Sequence, residues 1–288
     1  MMAHEETAII AKNMFGEELY QTRARLALPI LVRQAMSHQK IVYQDLSNEL
    51  GMPNARNLNY VLGSVGTTLM ELSEKWDEPI PLIQCLVVNK DTGLPGKGID
   101  ELLLPGQSTQ ALTRKQREAI VNGALAQVFA FPKWHSVMDA LGLNPHTSSA
   151  HENIEAARHF GGVGESEEHR RLKESIADDP TLVGLPMVIK KGQTEFPLPS
   201  GDSLDVLFQA TSSWIAVEVK SAKSNVADIT RGLFQCVKYL AVLEAWRGFA
   251  GDAGDVRVIL AMEGTLPDSL VGLRNALGVE VVEKVIAT

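Results

Sequence analysis

The sequence predicts two classes in one chain: a mainly helical N-terminal part, then an α/β part in which helices flank a mixed sheet. Three observations carry this. Apolar residues recur at helical spacing through residues 22–35 and 43–72. From residue 165 onward, helix-period segments alternate with short apolar runs of strand length, in the order helix, strands, helix, strand, helix, strand. Between the two parts, NPHTSSAHENIEAARHFGGVG is polar, rich in histidine and glycine, and without apolar periodicity, which marks a linker. At 288 residues the chain exceeds what one small core needs, so two domains are expected.

Composition narrows the classes of function. A hydrophobic content of 45% with 22% charged residues is that of an ordinary globular protein. The net charge of −8 argues against coating nucleic acid through a global basic surface. It leaves room for a nuclease, because a site that gathers carboxylates around a divalent cation adds negative charge of its own. No apolar run reaches the roughly 18 residues of a membrane span. The N-terminal MMAHEETAII lacks the basic stretch and apolar core of a secretory signal. Cys85 and Cys236 are spaced neither as a metal knuckle nor as a redox pair. A reducing cytoplasm is the expected location, with no membrane partner.

The N-terminal elements follow in order. In TRARLALPILVRQA, Leu26, Ile30, Leu31 and Ala35 share one helix face with arginines between them. YQDLSNELGM reads as a helix closed by Gly51, and after the turn MPNA a second helix runs from about Arg56 to Leu72. Short helices across a tight glycine-bearing turn form a helix–turn–helix pattern. PLIQCLVVNKDTGLPGKGI reads as a strand and a glycine-rich loop that suits a wing. TRKQREAIVNGALAQVFAF and FPKWHSVMDALGL read as helices. They define a connector over residues 106–160, between an N-terminal domain at 1–105 and a C-terminal one at 161–288.

Residues 40–100 resemble the DNA-binding domain of the alkyltransferase and alkyltransferase-like proteins. The shared pattern is a tyrosine-bearing strand leading into a helix, a Gly–x–Pro turn, an arginine opening the recognition helix, and a Val-Val strand. The resemblance implies a winged-helix-like DNA contact through Arg56, Asn57, Asn59 and Tyr60. The departure matters as much. Aligned on Val87 and Val88, Gln84 stands where the family's alkyl-accepting cysteine would be, Cys85 is displaced by one residue, and the family's His-Arg pair is missing. Alkyl transfer is therefore not expected. A fold used for protein contacts or dimerisation is the plainer alternative to DNA contact.

In the C-terminal part, ESEEHRRLKESIAD sets Glu165, His169, Leu172 and Ile176 on one helix face. TLVGLPMVIKKGQTEFPLPSG is a strand-like connector, and SLDVLFQAT and WIAVEVKS are the strands of a hairpin. Period two sends Glu218 and Lys220 to one face of the second strand and Val217 and Val219 to the other. Asp205 on the first strand is within cross-strand reach. DITRGLFQCVKYLAVLEAWRG is a long helix, DVRVILAM a further strand, and GVEVVEKVI a last one. Charges on apolar strands are costly unless they are paired or hold a metal. Two carboxylates and a backbone carbonyl can hold Mg²⁺ with waters left on the ion. A lysine beside them can orient an attacking water or stabilise charge on a phosphate. The plainer alternatives are a strand-end cap for Asp205 and a surface ion pair of little worth for Glu218 and Lys220.

These residues resemble the PD-(D/E)xK, or restriction-endonuclease-like, nuclease superfamily. Asp205 is followed after twelve residues by Glu218-Val219-Lys220, and Gln235-Cys-Val-Lys-Tyr239 looks like the Gln-x-x-x-Tyr motif of the RecB-like exonucleases. Gly164 to His169 and Leu172 is similar to their Gly-x-x-x-His-x-x-Leu, with one extra residue before the histidine. The resemblance implies a restriction-endonuclease-like mixed sheet and a Mg²⁺-dependent deoxyribonuclease in which Mn²⁺ substitutes. Asp205, Glu218 and Lys220 would carry the reaction, with Glu165 or His169 completing the metal ligands. Gln235 and Tyr239 would support the site, and Lys223 and Arg231 would meet phosphates. It further implies DNA as partner, a homodimer where both strands are cut, and a role in defence against foreign DNA or in repair. A catalytically silent DNA-binding regulator and a partner-activated effector are the competing classes.

Overall fold

A computed structural model describes residues 11–104, 112–144, 166–189, 191–210, 212–251 and 254–287. The chain divides into two compact units, Met1–Thr147 and Ser148–Thr288.

The first unit is built on α1 (Leu19–Met36), which buries Ala24, Ala27, Leu28, Ile30, Leu31 and Ala35. α2 (Tyr43–Glu49) ends where Gly51 takes φ 61°, a left-handed conformation that favours glycine. A 3₁₀ turn at Ala55–Asn57 then leads into α3 (Leu58–Trp76), whose Leu58, Val61, Val65, Leu69 and Leu72 face the core. The helix–turn–helix spacing is thus present, but among the described residues the expected wing is not. The run expected as a wing strand forms a 3₁₀ turn at Ile83–Leu86. It continues into β2 (Val87–Val88), which pairs in parallel with β1 (Ile41–Val42). Among the described residues no strand returns from the loop after it. The reason is burial: Ile83, Gln84, Cys85, Leu86 and Val87 are all inside, so the segment threads the core instead of projecting as a ribbon.

The helices expected as a connector also belong to this core. After the short α4 (Asp100–Leu103), α5 (Arg114–Ala130) and α6 (Trp134–Ala140) contribute Val121, Leu125, Val128, Trp134, Val137 and Met138 to the same cluster as α1 and α3. Position 105 is therefore no domain boundary, and the expected boundary near residue 160 lies outside the described residues. α5 opens with a capping box: Thr113 Oγ1 accepts the Gln116 N–H, and Gln116 Oε1 accepts the Thr113 N–H. Thr113→Ala is expected to lower stability by about 1 kcal/mol, read as a shift in urea midpoint with unchanged slope.

The second unit is a mixed α/β unit around a five-stranded sheet in the order β3 (Gln193–Pro197), β4 (Ser203–Gln209), β5 (Ser213–Lys220), β6 (Asp255–Met262), β7 (Glu280–Val282). β3 pairs with β4 and β4 with β5 antiparallel, while β5, β6 and β7 are mutually parallel. The parallel steps need crossovers. α8 (Val226–Phe249) supplies the one from β5 to β6, and α9 (Asp268–Leu277) the one from β6 to β7. Two cores lie on the two faces. Leu207, Ala216 and Leu260 of the sheet pack with Leu233 and Tyr239 of α8 and Leu270 of α9. On the other face, Leu172 and Ile176 of α7 (Glu167–Asp178) pack on Val206, Phe208, Val217, Val219 and Ile259. β5 is buried on both faces, so its polar residues sit inside and need partners.

Candidate active site

The polar residues converge where the β4–β5 ladder stops. The ladder runs from Gln209↔Trp214 to Val206↔Val217, and Asp205 and Glu218 are the next residues beyond it. Asp205 closes the gap with its side chain: Oδ2 accepts the Val219 N–H at 2.7 Å, and Oδ1 lies 3.4 Å from His169 Nε2 on α7. Ser166 caps that helix by accepting the His169 N–H, which fixes where the imidazole starts.

Glu218 is 3% exposed and Lys220 6%, and Lys220 Nζ donates to Glu218 Oε1 at 2.9 Å. Burial first, and the negative charge of Asp205 second, push the Glu218 carboxyl up to about 7, against the lowering pull of Lys220. Burial works against the charge on Lys220. Glu218, and after it Asp228 and Asp205, outweigh that and hold the ammonium above its ordinary value. The hydrogen bond to Asp205 likewise raises His169, against its partial burial.

The groups line one cleft of about 590 Å³, together with Lys223, Arg231, Gln235 and Tyr239. Gln235 and Tyr239 are one turn apart on α8. Gln235 Nε2 donates to Tyr239 Oη at 3.1 Å, and Tyr239 Oη donates to the Ser203 carbonyl at 3.4 Å. Gln235 Oε1 is buried and finds no partner among the described residues. Lys223 pairs with Glu168 at the rim. Every residue singled out in the sequence for this part thus lines the cleft, except Glu165, which lies outside the described residues.

Three residues of the cleft carried no functional reading in the sequence. Glu195 is skipped by the β3–β4 pairing, which joins Thr194 to Val206 and Phe196 to Leu204, and its φ is 51°. A left-handed glutamate costs on the order of 1–3 kcal/mol. So turned, it meets the buried ammonium of Lys173 and accepts the Ser203 hydroxyl at 3.1 Å. Lys173 was within reach of periodicity, because it follows His169 by one helical turn. Asp228, in the first turn of α8, lies 3.5 Å from Lys220 Nζ. Its sequence signal, an Asn three residues ahead, reads as a helix start and hides any other role.

In the first unit, Arg56 and Asn59 line a second pocket of about 430 Å³ with Tyr43, Gln84, Gly96 and Lys97. Asn57 is exposed outside it, and Tyr60 packs on Tyr20 with ring centroids 5.9 Å apart. Arg117 anchors the rim by donating to the carbonyls of Pro95 and Gly96 while paired with Asp100. Cys85 is fully buried, and burial pushes its thiol up to about 12, so it is no nucleophile near neutral pH.

What the fold and cleft define is a mixed α/β unit with a carboxylate–lysine cluster at the end of its central strands, preceded by a helical unit. The chain matches no family model, no curated protein and no solved structure.

Among the described residues, no three of His, Cys, Asp and Glu stand close enough together to hold a metal ion on protein groups alone. Mg²⁺ does not require three, since it is held by one or two carboxylates with waters and substrate phosphates around it. Asp205 and Glu218 fit that demand. Glu218 is raised first by its burial and second by the charge of Asp205, and a cation beside the two would offset both. Gln235 Oε1 is an open acceptor for a water carried by such an ion.

Proposed function

We propose that the chain is a Mg²⁺-dependent nuclease that hydrolyses DNA phosphodiester bonds in a PD-(D/E)xK-type C-terminal unit, with the N-terminal unit contacting DNA. The observation that carries this is the convergence of Asp205, Glu218 and Lys220 in one polar cleft at the ends of two paired central strands. Asp205 and Glu218 would hold Mg²⁺, with waters and substrate phosphate oxygens completing its shell, while His169 stays on Asp205. When bound, the ion polarises a phosphoryl oxygen and lowers the pKa of a water. The chain's own groups do the rest. Lys220 brings a buried, fully charged ammonium to the site, where it stabilises charge developing on the phosphate. His169, hydrogen-bonded to Asp205, keeps that carboxylate aimed and carries a proton at Nε2 that the reacting groups can use. Arg231 and Lys223 at the rim supply cations for the phosphates on either side.

The experiment is incubation of supercoiled plasmid, linear DNA and RNA with the full chain, with and without Mg²⁺ or Mn²⁺. Metal-dependent cutting of DNA is expected; absence of cutting of every substrate, together with absence of Mn²⁺ binding, removes the proposal. Absence of cutting with Mn²⁺ still bound would point to a partner-activated effector.

For the N-terminal unit, the exposed Arg56 ahead of α3 is read as a phosphate contact. Arg56→Ala is expected to weaken DNA binding about tenfold and to reduce the salt slope by about 1, measured by filter binding across a salt series.

A further inference from the structure

Lys220 has two carboxylate partners, and only one of them stands beside Asp205 in the proposed metal-holding pair. Its Nζ is 2.9 Å from Glu218 Oε1 and 3.5 Å from Asp228 Oδ1. An oxygen engaged by an ammonium is poorly placed to serve a divalent cation at the same time, because both compete for the same lone pairs. The ammonium cannot simply turn to water, since its side chain is 7% exposed. It needs a second protein acceptor if Glu218 is to be freed.

α8 provides that acceptor and the room to reach it. Asn225 caps the helix by accepting the Asp228 N–H at 3.0 Å, which fixes Asp228 in the first turn. There the helix dipole favours the ionised carboxylate. One turn later comes Gly232, where a Cβ would stand 2.7 Å from Lys220 Cε and 3.1 Å from Leu260 Cδ1. The missing side chain is the passage through which the lysine stem runs to Asp228. An aspartate and a glycine four residues apart on one helix are thus both shaped to one lysine.

We propose that Asp228 is a positioning residue that holds the Lys220 ammonium when a divalent cation occupies Glu218, keeping the lysine charged and in place without competing for the cation. The inference rests on the nuclease reading above. It predicts a specific energetic signature, because Asp228 acts through Lys220 and not on the metal.

The test is calorimetric titration of Mn²⁺ into the full-length wild type, Asp228→Asn, Lys220→Met and the double variant. Asp228→Asn is expected to weaken Mn²⁺ binding about tenfold, as loss of an outer-shell partner does. In the Lys220→Met background the same change is expected to alter affinity by less than about twofold, the scatter of independent sites. Asp228→Glu, which keeps the charge, is expected to restore most of the affinity. A full effect of Asp228→Asn without Lys220 overturns the proposal in favour of a direct metal ligand. No effect in either background overturns it in favour of a surface carboxylate. Wild type that binds no Mn²⁺ brings down the nuclease reading itself, and this inference with it, which is a different result from either of those.

Discussion

Asp205→Asn is expected to lower Mg²⁺-dependent DNA cleavage by about a thousandfold or more while leaving the fold in place. An amide oxygen can still accept the Val219 N–H that Asp205 Oδ2 accepts now, so the break between β4 and β5 stays closed. What is lost is charge. One of the two carboxylates proposed to hold the cation disappears, and His169 loses the anion that holds its proton. Removing a single preorganised group that stabilises transition-state charge costs on the order of 10²–10³ in rate, and loss of a metal ligand adds to it. Lys220→Met belongs to the same class. It removes the only buried ammonium bonded to Glu218 among the described residues, and its effect should fall on turnover more than on DNA affinity. Plasmid-nicking rates at saturating DNA, with thermal melts as a folding control, read both variants. Cleavage within a few-fold of wild type in either would remove that residue from the reaction.

The second large effect is on stability, and it comes from Glu218. Its carboxyl titrates near 4.5 in the unfolded chain and is pushed up to about 7 in the folded one. Between those values the native state keeps a proton that the unfolded chain has given up. Stability therefore falls as pH rises through that window, on the order of 1 kcal/mol per unit at the steepest. His169 acts in the same sense. Its raised value means the stability it brings is present below its unfolded pKa and is lost as pH rises through the folded one. A divalent cation opposes both losses. On the proposed reading it binds the ionised pair, so it should do little at pH 5. At pH 8 it should return about 2.7 kcal/mol at a hundredfold excess over its dissociation constant. Thermal melts at the two pH values, with and without Mn²⁺, measure this. Glu218→Gln is expected to flatten the pH response and abolish the gain from Mn²⁺. If that variant keeps the wild-type dependence on pH, the titrating group lies elsewhere.

The hairpin that carries the site was legible because both of its strands alternate. SLDVLFQ and SWIAVEVK announce which residues share a face, and one short turn limits the register. Gln235 and Tyr239 were legible for the same kind of reason, since residues four apart on a helix meet. What stayed hidden depended on long-range packing. Nothing local announces that Glu195 adopts a left-handed backbone, which goes with its own omission from the β3–β4 pairing and shows only once the two strands are side by side. Asp228 and Gly232 matter only once β5 has been laid beneath α8. In the first unit, the Val-rich run at 83–88 has strand propensity, yet only two of its residues pair. The core it passes through takes it as filling, and burial overrides propensity. The helices of residues 114–140 were visible as helices, but not as walls of the first core. The pattern of α5 shows which residues are apolar and leaves open what they meet.

The mixed pairing of β5 also bears on how the molecule comes together in time. β3, β4 and β5 close through short connections, whereas β5 reaches β6 only after the long α8 has been laid down between them. Local closures are cheap in chain entropy and fast, and distant ones are slower. Asp205 and Glu218 are 13 residues apart and Lys220 and Asp228 only 8, so each of these pairs is a local closure. The distant step is the pairing of β6 with β5, across the length of α8. By chain entropy alone, these charged pairs belong to the part of the unit that closes locally and the parallel half of the sheet to the part that closes at long range.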